Sequence, residues 1–230
     1  GKNGHFVGSH ILVPREGVAV HINAFNFPVW GLLEKFAPSF LAGMPCIAKP
    51  ATSTAYLTEA LVRLMLQWGG LPEGSLQLVI GSTGDLLDRL DGQDAVTFTG
   101  SATTAATLRA NPNLLARGVP FNAEADSLNS AILAPDVTVG DAEFDLFADE
   151  VVREMRVKAG QKCTAIRRVV VPRPQLDALQ ARLRERLAGL VVGDPRQAEV
   201  QMGPLASKAQ QTDVRSRLDA LRQVCSTVFD

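Results

Sequence analysis

Cys163 stands in Gly160-Gln161-Lys162-Cys163-Thr164-Ala165, a turn of small and polar residues that follows a helical pattern. A thiol in such a place can act as a nucleophile once it is ionised, and Lys158, Lys162, Arg167 and Arg168 surround it in sequence with charge that favours the thiolate if it faces the sulfur. The plainer reading of a lone cysteine, a small buried core residue, stays open. Glu124 lies in Phe121-Asn122-Ala123-Glu124-Ala125-Asp126-Ser127-Leu128-Asn129, where an apolar approach delivers a carboxylate among small or polar neighbours. That setting suits a general base. Asn26, in Ala24-Phe25-Asn26-Phe27-Pro28-Val29-Trp30, directly follows the apolar run 18–22, and its side-chain amide can donate to an oxyanion.

The elements that must position these groups alternate. Apolar runs at 18–22, 45–49, 76–80 and 95–99 read as strands, separated by helical patterns at 30–41, 55–68 and, beyond the fourth strand, 103–110. Residues 120–123 form the approach to Glu124. This alternation predicts a parallel sheet with crossover helices. In the second helix Leu57, Leu61, Leu64, Met65 and Trp68 recur at helical spacing, which makes Met65 and Trp68 core residues. After Glu124 the pattern restarts with a strand at 130–133 and a helix that takes Asp141 as N-cap. That helix carries Phe144, Phe147, Val151 and Met155 on one face and stops at Gly160. A strand at 168–171 and a helix with Leu176, Leu179, Leu183 and Leu187 complete a second α/β unit. Beyond the Gly193-Asp194-Pro195 turn, Val214, Leu218, Leu221 and Cys225 share one helix face, so Cys225 reads as core, as does Cys46 within the run 44–48.

The fold class expected is α/β: a Rossmann-like parallel-sheet, cofactor-binding domain over residues 1–126, followed by part of a second α/β catalytic domain over 127–230. No Gly-x-Gly-x-x-Gly follows any predicted strand. The candidate cofactor turn is Phe98-Thr99-Gly100-Ser101, where a strand ends and a helix begins: Gly100 permits close approach and Ser101 can donate to a phosphate, or Ser101 simply caps the helix. Gly81-Ser82-Thr83-Gly84 reads as a turn. Lys49 ends a strand before Pro50, which leaves its ammonium at the carboxyl edge of the sheet, where open α/β folds bind ligands.

Over 230 residues the formal charge is −1, which gives no electrostatic reason to expect nucleic acid or an anionic membrane. Cys46, Cys163 and Cys225 are far apart and odd in number, which argues against a disulfide framework and fits a reducing, cytoplasmic setting. The most apolar region, 27–47, is broken by Glu34 and Lys35, so neither a membrane span nor a signal peptide is expected. His5, His10 and His21 show no metal-ligand spacing.

The Asn26, Glu124 and Cys163 segments, in this order, together with Lys49-Pro50-Ala51 and Phe98-Thr99-Gly100-Ser101, resemble the aldehyde dehydrogenase superfamily over nearly the whole chain. The resemblance implies that Cys163 attacks an aldehyde, that Asn26 and the backbone N–H of Cys163 hold the oxyanion, and that Glu124, with a pKa raised by partly apolar surroundings, activates the hydrolytic water. It also implies a nicotinamide cofactor, with Lys49 at the adenosine ribose and Gly100 and Ser101 at the phosphates. Thr52 stands where NAD-preferring relatives commonly carry a glutamate. A neutral hydroxyl there does not repel the extra phosphate of NADP, so NADP is expected, with NAD accepted as well if Thr52 and Ser53 only cap the next helix. A narrower likeness runs through His21-Ile22-Asn23-Ala24-Phe25-Asn26-Phe27-Pro28, Glu124 to Asn129, and Val152-Arg153-Glu154-Met155 into the Cys163 turn. It is to the semialdehyde dehydrogenases of aerobic aromatic degradation through CoA thioesters. Within them the phenylacetate-pathway type, acting on 3-oxo-5,6-dehydrosuberyl-CoA semialdehyde, comes first, and the benzoyl-CoA type, acting on 3,4-dehydroadipyl-CoA semialdehyde, close behind. Relatives run further both ways, so the chain reads as a piece of a larger, homo-oligomeric protein. The competing readings are a general aldehyde dehydrogenase and a nucleotide-binding fragment without catalysis.

Overall fold

A strand buried on both faces has no polar side to show to water, and β1 (Ala19–Ile22) has this character along its whole length. In the computed structural model, which describes residue 4 and residues 8–229, β1 is the middle strand of a five-stranded sheet. Its companions are β2 (Cys46–Lys49), β3 (Leu76–Leu78), β4 (Ala95–Gly100) and β5 (Phe121–Ala125), in the order β3-β2-β1-β4-β5. Every pairing is parallel. Parallel neighbours need crossovers, and α1 (Trp30–Leu41), α2 (Ala55–Trp68), α3 (Ala102–Arg109) and α4 (Pro112–Arg117) lie in those connections.

Side chains alternate across a strand, so each face of the sheet builds its own core. Val20, Ile22, Val96 and Phe98 pack with Leu87, Leu90, Ala105 and Leu114 on one side. Ala19, Cys46, Ala48 and Leu76 pack with Leu32, Phe36 and Val62 on the other. The buried stripe of α2 is Ala55, Thr58 and Val62, small residues that let the helix lie close to the strands. Met65 packs against this core as expected, but Trp68 does not. Leu57, Leu64 and Trp68 sit about a third of a turn or more away from the buried stripe, and Trp68 is 75% exposed.

The first compact unit runs through Ala125 and a second begins at Asp126. The second holds a parallel pair, β6 (Asn129–Ile132) and β7 (Ile166–Val170), with α5 (Ala142–Arg156), α6 (Leu176–Ala188) and α7 (Lys208–Arg222). Leu133, Phe144, Ala148 and Leu179 form its core. Two expectations fail here. Asp141 occupies the N-cap position of α5 without capping it, because its carboxylate instead accepts from the backbone N–H and the hydroxyl of Thr138, at 2.6 and 2.9 Å. Cys225 is exposed rather than core, since no residue of α7 is buried and the thiol lies past the end of that helix. Among the described residues no helix is long and apolar enough to cross a membrane. His5 lies outside the described residues, and His10 is exposed.

His21, fully buried on β1, places Nε2 3.1 Å from the Ser39 hydroxyl of α1 and leaves Nδ1 without a partner among the described residues. Burial, and then the Lys35 ammonium, hold its pKa down to about 4 against an ordinary 6.5. Between these values the unfolded chain binds a proton that the folded chain refuses. Stability therefore falls as pH drops through this window, by up to about 3 kcal/mol. In urea unfolding at pH 7 and pH 4.5, the parent chain should lose more stability between the two conditions than His21→Gln. Equal losses would show that the imidazole is not held neutral.

Candidate active site

The carboxyl ends of the five parallel strands share one edge of the first unit. The strand order reverses direction between β1 and β4, and the loops leaving those two strands carry Asn26 and Ser101. Open α/β sheets bind ligands at such a switch point. The Asn26 turn is tethered there. The backbone N–H of Asn23 donates to the Lys49 carbonyl at 3.0 Å, and the hydroxyls of Thr54 and Thr58 donate to the carbonyls of Phe25 and Pro28, both at 3.0 Å. These two threonines were missed by sequence reasoning. The signal available was their four-residue spacing at the start of α2, which puts both hydroxyls on one side of the helix. Asn26 itself is half-buried, and the Asn23 side chain, 4% exposed, has both amide atoms unpartnered among the described residues.

Lys49 ends β2 with Nζ 3.4 Å from the Pro50 carbonyl, and burial lowers its ammonium pKa. Thr52 is exposed and opens a short 3-10 turn, Thr52–Thr54; no side chain caps α2. Ser101 is the N-cap of α3: its oxygen accepts from the Thr104 N–H at 3.2 Å and its hydroxyl donates to Thr104 Oγ1 at 2.9 Å. Gly100 is required for a different reason from a special backbone angle. A Cβ there would fall 2.4 Å from the ring tip of the buried Phe98. Glu124 pairs with Thr99 across β4 and β5. Phe121, Ala123 and Ala125 of that strand turn into the first core, so Glu124 points to the opposite face, where it is exposed. The partly apolar surroundings expected for it are not found.

Cys163 lies in the second unit, half-exposed, on a turn that is pinned at several points. Its carbonyl accepts from the Ser127 hydroxyl and from Asn129 Nδ2 at 2.6 Å, and the same amide reaches the Ala165 carbonyl at 3.2 Å. Gln161 donates from Nε2 to the Lys158 carbonyl at 2.9 Å and accepts from the Ala206 N–H at 3.0 Å. The helical stop is broader than a single glycine. α5 ends at Arg156, and Lys158, Ala159 and Gly160 then take φ values of 54°, 51° and 70°, the left-handed region that costs a non-glycine residue about 1–2 kcal/mol. Of the four cations near the thiol in sequence, Lys162 is bound to Glu154 at 2.8 Å and Arg167 donates to the carbonyls of Gly160 and Lys162 at 2.7 and 3.2 Å. Arg168 is exposed on β7. Lys158 is in electrostatic reach of Cys163: burial lowers its pKa first, Lys162 lowers it further, and the Cys163 thiolate raises it. Cys46 differs in kind. Buried, with Sγ 3.4 Å from the Met44 carbonyl, its thiol is pushed up to about 11.

The sequence profile of the family described as "Aldehyde dehydrogenase family" matches residues 6–228. The chain is 54% identical over 228 residues to a 3,4-dehydroadipyl-CoA semialdehyde dehydrogenase of Aromatoleum evansii, covering 99% of this chain and 44% of that protein. It is 34% identical to an alpha-ketoglutaric semialdehyde dehydrogenase of Bacillus subtilis, covering 90% and 41%. A solved betaine aldehyde dehydrogenase of Staphylococcus aureus, in complex with NAD+, superposes with a TM-score of 0.77 at 26% identity, over 88% of this chain and 39% of its own. The chain thus spans less than half the length of these relatives.

The threonine tethers give a test of the Asn26 turn. Thr58→Val keeps the shape of a fully buried side chain and removes only the bond to the Pro28 carbonyl, so it should cost about 1 kcal/mol in urea unfolding. A variant as stable as its parent would show that the bond does not hold the turn.

Proposed function

Because the chain belongs to the aldehyde dehydrogenase family, we propose that it carries the nucleophile, the oxyanion donor and the hydrolytic base of an aldehyde oxidation that proceeds through a cysteine thioester. The observation that carries this reading is the presentation of Cys163: a half-exposed thiol on a turn whose carbonyls are held by Ser127, Asn129 and Arg167. Such a thiol is accessible and fixed at once, as a nucleophile must be. The Cys163 thiolate adds to the aldehyde carbon, and the carbonyl oxygen takes up the charge. Asn26 and the backbone N–H of Cys163 donate to that oxygen. Once hydride has left that carbon, the C–O bond closes to a carbonyl and a thioester remains; Glu124 then takes a proton from water, whose oxygen adds to the thioester carbon. The thiolate leaves and a carboxylate is the product.

A nicotinamide cofactor, when bound, supplies the hydride acceptor for the oxidation. The edge of the first unit fits one: the buried amide of Asn23 has no partner among the described residues, Lys49 offers an ammonium at the end of β2, and α3 begins at Gly100 and Ser101. Lys49, Thr52, Gly100 and Ser101 are the residues that would hold it. NADP is favoured, because exposed Thr52 brings no negative charge to the end of β2. The substrate read from the 54% identical relative is a semialdehyde linked to CoA, 3,4-dehydroadipyl-CoA semialdehyde.

The test is kinetic, on the protein carrying these residues. It sets 3,4-dehydroadipyl-CoA semialdehyde and 3-oxo-5,6-dehydrosuberyl-CoA semialdehyde against free medium-chain aldehydes, with NADP and NAD compared. A CoA-linked semialdehyde should give the higher kcat/KM. Preference for free aldehydes would replace the substrate reading, and cofactor binding without turnover on any aldehyde would leave only a nucleotide-binding role. Cys163→Ala should abolish turnover. Glu124→Gln should keep a burst of reduced cofactor while slowing the steady state by about a hundredfold or more, and an undiminished steady state would remove Glu124 from its role. Thr52→Glu should move cofactor preference by about tenfold or more towards NAD.

A further inference from the structure

The inner face of α5 runs through Phe144, Ala148 and Val151, and the next position on that stripe is a carboxylate, Glu154, which is buried with them. Its Oε1 holds the Lys162 ammonium at 2.8 Å and Arg153 at 3.0 Å, while Oε2 has no partner among the described residues. Side-chain exposure is 6% for Glu154 and 12% for Lys162. A buried ion pair is weak as a source of stability, because desolvation offsets most of the attraction, but it fixes which groups must meet. Here it ties the end of α5 to the residue before the nucleophile. Between the two lie Lys158, Ala159 and Gly160, all in the left-handed region, so the connecting backbone would relax if nothing held its ends.

We propose that the Glu154–Lys162 pair is the strap that positions the Cys163 turn, making both side chains positioning residues for the nucleophile and not activators of its thiol. This rests on the reading of Cys163 as the nucleophile. Lys162 is next to Cys163 in sequence and on position alone would be taken as the cation that favours the thiolate. Its charge is instead matched at 2.8 Å by a carboxylate that has almost no solvent. The pair as a whole presents little net charge to the sulfur. Arg167 acts with it, donating to the carbonyls on either side of Gln161.

Three measurements on the protein carrying these residues decide it: backbone hydrogen exchange of residues 157–164, the pH profile of Cys163 alkylation by iodoacetamide followed by peptide mapping, and the acyl-enzyme burst. Glu154→Gln and the double variant Glu154→Leu with Lys162→Met should each speed exchange in that segment by about tenfold. They should slow the burst by a similar factor with KM unchanged, and leave the midpoint of the alkylation profile in place. Lys162→Arg should restore parent behaviour. The double variant leaves no lone buried charge, so it reports even where Glu154→Gln fails to fold. Unaltered exchange in the double variant overturns the proposal, as does an alkylation midpoint that moves to lower pH in Glu154→Gln, the signature of a freed cation acting on the thiol. A protein without turnover would sink the dehydrogenase reading, yet exchange and alkylation would still decide the strap.

Discussion

Pairing β1 in parallel with β2 on one side and β4 on the other is the constraint from which the first unit follows. Parallel strands all leave the sheet by the same edge, so every crossover starts where the previous strand ends. The strand order reverses beside β1, and open α/β sheets bind ligands at the carboxyl edge where it does so. Asn26, Lys49, Ser101 and Glu124 span almost a hundred positions of sequence, yet each lies at or just beyond a carboxyl end of the sheet. No local signal would group them. The register does so, by setting Ile22 beside both Lys49 and Phe98, and Thr99 beside Glu124.

The second unit holds its Cys163 turn by other means. Its buried apolar side chains among the described residues are Leu133, Phe144, Ala148, Val151, Ala165 and Leu179, and of these only Ala165 lies beside the Cys163 turn in sequence, so packing alone does not fix that irregular loop. Polar contacts take that part. Ser127 and Asn129 lie at the entrance to β6, and because β6 pairs with β7 they face the residues that enter β7, including the carbonyls of Cys163 and Ala165. The motif around Asn129 and the motif around Cys163 are thus two halves of one hydrogen-bonded joint.

The α/β class and the parallel sheet were legible in the sequence because strand and helix periods differ, and the runs at 18–22, 30–41, 45–49 and 55–68 each obey one of them over enough residues to be unambiguous. What covers an apolar face was not legible. Periodicity shows that α7 has such a face with Val214, Leu218 and Leu221 on it, but no residue of that helix is buried, and Cys225 is exposed with it. Trp68 fails for a related reason: the residues that let α2 approach the sheet are small, and hydrophobicity points to the large ones. Ser101 was read both as a phosphate donor and as a cap, and its bonds to Thr104 show the cap. Of the site, the residue types around Asn26 and Cys163 were legible, whereas the partners that hold them, Thr58 thirty residues from Pro28 and Asn129 thirty-four from Cys163, depend on the fold.

The charges around Cys163 show how little sequence proximity says about a field. Lys162 and Arg167 are close along the chain, but one is neutralised by Glu154 and the other is turned onto backbone carbonyls. Lys158, five residues away, interacts electrostatically with Cys163, and its own backbone is bent into a conformation that an L-residue adopts only at a cost. Ordinary helical or extended angles at Lys158 and Ala159 would carry the chain in another direction after Arg156. Lys158 thus carries both a strained backbone and a charge coupled to the thiol.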